Sequence, residues 1–146
     1  MSLVLRGAVV APQQGENRLE ELVAILVVED DRLIQGMVEE ALADAGYEPT
    51  VTTSGDEAAT LLREHEGKYR ALVTDIDLGG GLDGWDIAKQ AREIDPAFPI
   101  VYMSGAHAED WASKGVPNSI MLAKPFAPAQ LVTAVSNLLN AITPTA

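Results

Sequence analysis

A chain of 146 residues is long enough to bury a core without disulfides or metal staples, and suits one domain. Hydrophobic residues make up 47% of it, which argues against disorder, and the lack of cysteine excludes a disulfide framework, a thiolate metal site and a thiol nucleophile. A formal net charge of −12 would repel a polyphosphate backbone, so direct nucleic-acid binding is not expected and the question becomes whether some of the acids converge.

In chain order, residues 1–21 read as an N-terminal tail. Their first part is apolar but interrupted by Arg6 and lacks a basic leader, which makes a poor signal peptide, and residues 12–17 read as a flexible lead-in. The longest purely apolar run, residues 22–28, is far too short for a membrane span. A cytoplasmic protein is expected. Residues 23–29 (VAILVVE) form a β-branched block suited to a strand covered on both faces. Ile34, Val38, Ala41, Leu42 and Ala45 then repeat at helical spacing up to a stop at Gly46. A second strand is expected at 47–52. Ser54 stands at a helix N-cap with Glu57 three residues on, as in a capping box, ahead of Ala58, Leu61 and Leu62. A third strand is expected at 71–74. The stripe Trp85, Ala88, Ala91, Ile94 follows, ended by Asp95 and Pro96. The remaining elements are a strand at 100–104, a weaker helix at 107–114, a strand at 119–123 and a last helix from Pro128 carrying Leu131, Val135, Leu138 and Leu139. Residues 143–146 read as a C-terminal tail, leaving 22–142 as the folded unit.

Strand and helix alternating five times predict an α/β fold: a flavodoxin-like (βα)5 three-layer sandwich with a parallel sheet in the order 2-1-3-4-5. Ligands of such folds bind outside the carboxyl ends of the strands. There the sequence puts Glu29, Asp30 and Asp31 after strand 1, Asp75 after strand 3, Ser104 after strand 4 and Lys124 after strand 5. Core packing needs none of them. Two carboxylates about 4 Å apart repel by about 4 kcal/mol at an effective dielectric of 20, so several cannot stay ionised together without a cation or shifted pKa values. A hard, oxygen-loving ion such as Mg²⁺ fits that donor set. Asp75 would then serve as a carboxylate nucleophile towards phosphorus, with Lys124 neutralising the transferring group and Ser104 donating a hydrogen bond to it.

The segments Ile25-Leu26-Val27-Val28-Glu29-Asp30-Asp31, Val73-Thr74-Asp75, Met103-Ser104-Gly105 and Lys124-Pro125-Phe126 occur in this order at four strand ends. With them the chain resembles the receiver domains of two-component response regulators over nearly all of 23–142. The resemblance implies that Glu29 and Asp30 are the metal-binding acidic pair, that Asp75 is both phosphoacceptor and metal ligand, and that the backbone carbonyl of Asp77 is a further ligand. It also implies that Ser104 is the switch hydroxyl, that Lys124 binds phosphate, and that the bond to Pro125 is cis. The implied donor is a sensor histidine kinase or histidine phosphotransfer protein. The implied output is a protein target met through helix 4, strand 5 and helix 5, from a monomer or weak dimer. Such a chain is not an enzyme beyond its own phosphorylation and dephosphorylation. Two departures stand out. Met121 occupies a position where the family usually has Tyr or Phe, and the segment from Asp75 to Gly84 is about one residue longer than usual, its three glycines predicting a mobile loop.

Simpler explanations cover other features. Asp31 reads as a helix cap rather than a ligand, and Gly79 to Gly84 matches G-x-G-x-x-G but does not follow the first strand as dinucleotide binding requires. His65 and His107 have no ligand companions in sequence and read as surface residues. Trp85 and Trp111 read as helix packing, with Trp111 near the output face. The rival function is a phosphatase of the haloacid-dehalogenase type, since Asp75-Ile76-Asp77 imitates its D-x-D motif; there, however, the D-x-D opens the domain, whereas Glu29 and Asp30 here come two strands earlier. A degenerate receiver that only binds partners is the third reading.

Overall fold

The computed structural model describes residues 22–142; the tails expected at 1–21 and 143–146 lie outside the described residues. Five strands, β1 (Ala24–Val28), β2 (Glu48–Thr52), β3 (Tyr69–Asp75), β4 (Ile100–Ser104) and β5 (Ile120–Ala123), form one parallel sheet in the order β2-β1-β3-β4-β5. The helices are α1 (Arg32–Asp44), α2 (Gly55–Glu64), α3 (Gly84–Ile94), α4 (Trp111–Lys114) and α5 (Pro128–Ile142). The expected flavodoxin-like architecture is therefore present, with β3 longer at both ends than its apolar run.

Side-chain alternation along the strands sorts the core into two layers. Leu26, Val28, Leu72, Ile100 and Tyr102 face α2 and α3, meeting Ala58, Leu62, Ile87 and Ala88. Ile25, Val27, Val73, Val101 and Met103 face α1 and α5, meeting Val38, Leu42, Leu131 and Val135. Because both faces are covered, β1 and β4 are buried throughout. The register aligns their ends: Val28 pairs with Thr74, Asp75 with Met103 and Ser104 with Ala123. The residues that follow β1 and β5 therefore emerge beside Asp75.

Capping follows the sequence with one correction. Asp31 caps α1, its Oδ1 accepting from the Leu33 and Ile34 N–H groups at 2.9 and 3.2 Å. Ser54 caps α2 by accepting from Glu57 N–H at 3.1 Å, but Glu57 stays in water and returns no bond. The reciprocal box forms instead at α3, between Asp83 and Asp86. The helix expected at 107–114 is shorter than its pattern, a 3₁₀ turn (Ala108–Asp110) leading into one turn of α4. It ends early because Gly115 packs against the Trp111 indole and the next N–H, of Val116, is taken by the Tyr102 hydroxyl at 3.1 Å.

Candidate functional site

The chain leaving β1 carries Glu29 into full burial, and its carboxylate is bonded on both oxygens: Lys124 Nζ donates to Oε1 and Asp31 N–H to Oε2, each at 3.0 Å. Gln35, one turn into α1, donates to the Glu29 backbone carbonyl and fixes the start of the loop. Burial pushes the Glu29 carboxyl above the ordinary range; the bonds from Asp31 and Lys124 oppose this without cancelling it, and the charge of Asp75 adds to it.

At the end of β3, Asp75 is nearly buried. Its Oδ1 accepts from Ile76 N–H at 2.8 Å, and its Oδ2 lies 3.4 Å from Lys124 Nζ. Burial also raises its carboxyl, against the pull of Lys124 and with a smaller push from Asp30. Lys124 follows β5 directly. Burial works to lower its ammonium, but the bond to Glu29 and the charge of Asp75 outweigh that and leave it raised. The lysine is a fixed cation between two carboxylates. Asp30 is exposed and makes no hydrogen bond or ion pair among the described residues. One oxygen from each of Glu29, Asp30 and Asp75 lies within 4.8 Å of the others. This all-oxygen donor set, partly buried and carrying more negative charge than Lys124 neutralises, fits a hard divalent cation.

Ser104 is buried at the end of β4. Its Oγ accepts from the Ala106 and His107 N–H groups at 3.2 and 2.7 Å, and its carbonyl accepts from Lys124 N–H at 2.9 Å, which joins β4 to the lysine. The Lys124–Pro125 bond is cis, as expected. Two glycines let the backbones close around the site: a Cβ at Gly84 would overlap the Asp75 carbonyl oxygen, and one at Gly55 would overlap that of Leu82. In the longer loop, Gly79 and Gly81 take φ of 80° and 82°, and the loop's far end is tied down where Leu82 N–H donates to Asp56 Oδ1 at 3.3 Å.

Sequence reasoning missed two residues. His107 is not a lone surface histidine: Nε2 meets Asp77 Oδ2 at 2.9 Å and Nδ1 meets Asp110 Oδ2 at 3.5 Å. Thirty positions separate His107 from Asp77, and only the adjacency of β3 and β4 brings them together. The second is Tyr102, buried on β4 directly opposite Met121 on β5. Its ring lies 4.7 Å from that of Trp85, tilted by 55°. An aromatic ring thus lies directly across the strand pair from Met121. Alternation along β4 was the available signal, since Tyr102 and Ser104 share a face.

Comparisons with known proteins point to one family. The family model described as the response regulator receiver domain matches residues 25–136. The response regulator receiver protein CpdR of Brucella abortus is 34% identical over 119 residues, covering 80% of this chain and 97% of CpdR. The sensor kinase CckA of the same organism is 30% identical, but the matched part is 12% of that protein. Among solved structures, a response regulator receiver protein from Sinorhizobium medicae is 48% identical with a TM-score of 0.81, over 84% of this chain and 98% of that one. The receiver domain of the sensor histidine kinase PA1611 from Pseudomonas aeruginosa, solved with magnesium in its active-site cleft, is 25% identical with a TM-score of 0.69, over 82% and 98%. A family match spanning most of the folded unit, on a parallel sheet in the order β2-β1-β3-β4-β5, makes this chain a member of the response regulator receiver domain family.

Proposed function

We propose that this receiver domain is a phosphorylation-dependent signalling switch in which Asp75 accepts a phosphoryl group from a phosphohistidine of a sensor histidine kinase or histidine phosphotransfer protein. The observation that carries the reading is the Asp75 carboxylate, held by Lys124 and facing Glu29 and Asp30 at the sheet edge. In the transfer an Asp75 oxygen forms a bond to phosphorus, the P–N bond breaks, and the imidazole of the donor keeps the electron pair. Lys124, already a cation, meets the incoming oxygens without reorganisation. Ser104 then donates a hydrogen bond from its hydroxyl to the new phosphoryl group while its oxygen goes on accepting from His107 N–H.

Asp30, Asp75 and the backbone carbonyl of Asp77 would hold Mg²⁺ directly. Glu29 completes the acidic set around the ion, and its carboxylate, which also accepts from Lys124 and Asp31 N–H, places the lysine beside Asp75. Bound there, Mg²⁺ supplies charge neutralisation for the transferring group. A protein donor would find a hold beside the site in the groove lined by Ile34, Met37, Lys124, Pro125 and Phe126, with the exposed Leu33 on the same helix as Ile34 and Met37.

The output is assigned to the surface of α4, β5 and α5, because Ser104 and Lys124 join the site to β4 and β5, with Met121 and Tyr102 packed beneath. A protein target, rather than nucleic acid, suits the net charge of −12. The folded unit is taken as 22–142, acting in the cytoplasm as a monomer or weak dimer; no helix among the described residues is long and apolar enough to cross a membrane.

Mass spectrometry after incubation with acetyl phosphate and Mg²⁺ tests the central step. One phosphoryl group per chain is expected, absent from Asp75→Asn. Multiple turnover of a generic phosphate ester would instead favour the phosphatase reading, and no labelling the partner-binding receiver without chemistry.

A further inference from the structure

One residue ties together the two loops that flank Asp75. β3 and β4 are neighbours, paired through Asp75 and Met103, so the chains leaving them run side by side at the rim of the site. Asp77 lies two residues beyond Asp75, and His107 three beyond Ser104. The His107 imidazole meets the Asp77 carboxylate at 2.9 Å while its backbone N–H is held by the buried Ser104 hydroxyl at 2.7 Å. Its other ring nitrogen faces Asp110 at 3.5 Å. Both ends of the connection are therefore anchored, one on the β3 loop and the other on the switch hydroxyl.

We propose that His107 is a positioning residue for the Asp75 phosphoryl group, closing a strap between the loops after β3 and β4 that limits the approach of water to the acyl phosphate. The proposal rests on Asp75 being the phosphoacceptor. In the hydrolysis it restrains, the oxygen of water bonds to phosphorus and the P–O bond to Asp75 breaks. The electron pair returns to the carboxylate, and phosphate leaves with both protons of the water. Attack needs the strap open. An exposed pair is worth ~0.2–1 kcal/mol, so removing it should raise the open population, and the hydrolysis rate, by up to about fivefold.

The contact with Asp77 is made by a single ring nitrogen, and a side-chain amide nitrogen placed similarly can replace it. The test is the decay of Asp75 phosphate after labelling with acetyl phosphate and removal of the reagent, followed in the wild type, His107→Ala, His107→Gln, Asp77→Ala and the His107→Ala/Asp77→Ala double variant. His107→Ala is expected to decay faster by up to about fivefold and His107→Gln to recover most of the wild-type lifetime. Asp77→Ala should match His107→Ala, and the double variant should add nothing to either. In concentrated urea all should decay alike, which separates the strap from the intrinsic lability of the bond. Labelled His107→Ala with an unchanged lifetime would overturn the strap alone, as would His107→Gln decaying as fast as His107→Ala. Absence of labelling in the wild type would overturn the strap and the phosphoacceptor reading together.

Discussion

Lys124 shows why the charges at this sheet edge are interdependent. It is the cation for both Glu29 and Asp75, and a buried carboxylate stripped of its cation is costly. Lys124→Ala should slow labelling by about a hundredfold, the usual cost of losing one preorganised charge-stabilising donor. It should also destabilise the fold by ~2 kcal/mol at pH 7, less than for a fully buried pair because the lysine retains some contact with water. The pH dependence has a definite sign. Burial already raises Glu29 and Asp75, and the variant loses the strongest opposing influence on Asp75 and, after the Asp31 N–H bond, the next one on Glu29. A carboxyl raised in the folded state stabilises the fold while protonated, and that contribution is lost as pH rises through the folded value. The loss in Lys124→Ala should therefore be smaller at pH 5 than at pH 7. Urea titrations in the presence of a chelator measure it, and an equal loss at both pH values would contradict the burial argument.

At the level of elements, the clearest constraint is where α3 starts. Gly84 opens that helix against the backbone of Asp75 and Ile76, and its N–H donates to the Ile76 carbonyl at 2.9 Å. Gly84→Ala would push the phosphoacceptor backbone out of place, costing ~1–3 kcal/mol and slowing labelling. Gly36 on α1 is the matched control, since nothing lies within 4 Å of a Cβ there. Gly36→Ala should stabilise by ~0.5–1 kcal/mol through helix propensity and leave labelling unchanged. Thermal denaturation of the two variants checks the contrast; equal effects would mean that the close approach at Gly84 is unimportant. The same elements show what was readable beforehand. Alternating apolar runs and helical stripes announce the strand count, because a doubly covered sheet needs β-branched blocks such as residues 24–28. Acids, serine and lysine at strand ends announce the site, because nothing in a core calls for them. Contacts between loops are another matter. His107 with Asp77 and Tyr102 with Val116 depend on how segments distant in sequence settle beside one another in three dimensions, which no local period encodes.

For the molecule as a whole, the acidic edge makes stability depend on what neutralises it. The net charge of −12 is dispersed over a surface where salt screens it, but the oxygens of Glu29, Asp30 and Asp75 meet within 4.8 Å in a partly dry pocket against one lysine. Folding the metal-free chain must bring these charges together. Asp30 is the member that can be removed without orphaning a partner, since it is exposed and unbonded among the described residues. Asp30→Ala should accordingly raise the Tm of the chelator-treated protein by about 2–4 °C, corresponding to ~1 kcal/mol for a domain of this size. Mg²⁺ should raise the wild-type Tm by binding the folded state alone, by up to ~2.7 kcal/mol at a hundred times its Kd, and should leave Asp30→Ala nearly unmoved. The two effects are linked: the repulsion that weakens the empty site is the attraction that the ion uses. Calorimetry of both proteins with chelator and with Mg²⁺ gives four transition temperatures. If the wild type were as stable as Asp30→Ala without metal and gained nothing from Mg²⁺, these carboxylates would not be acting as a cation site.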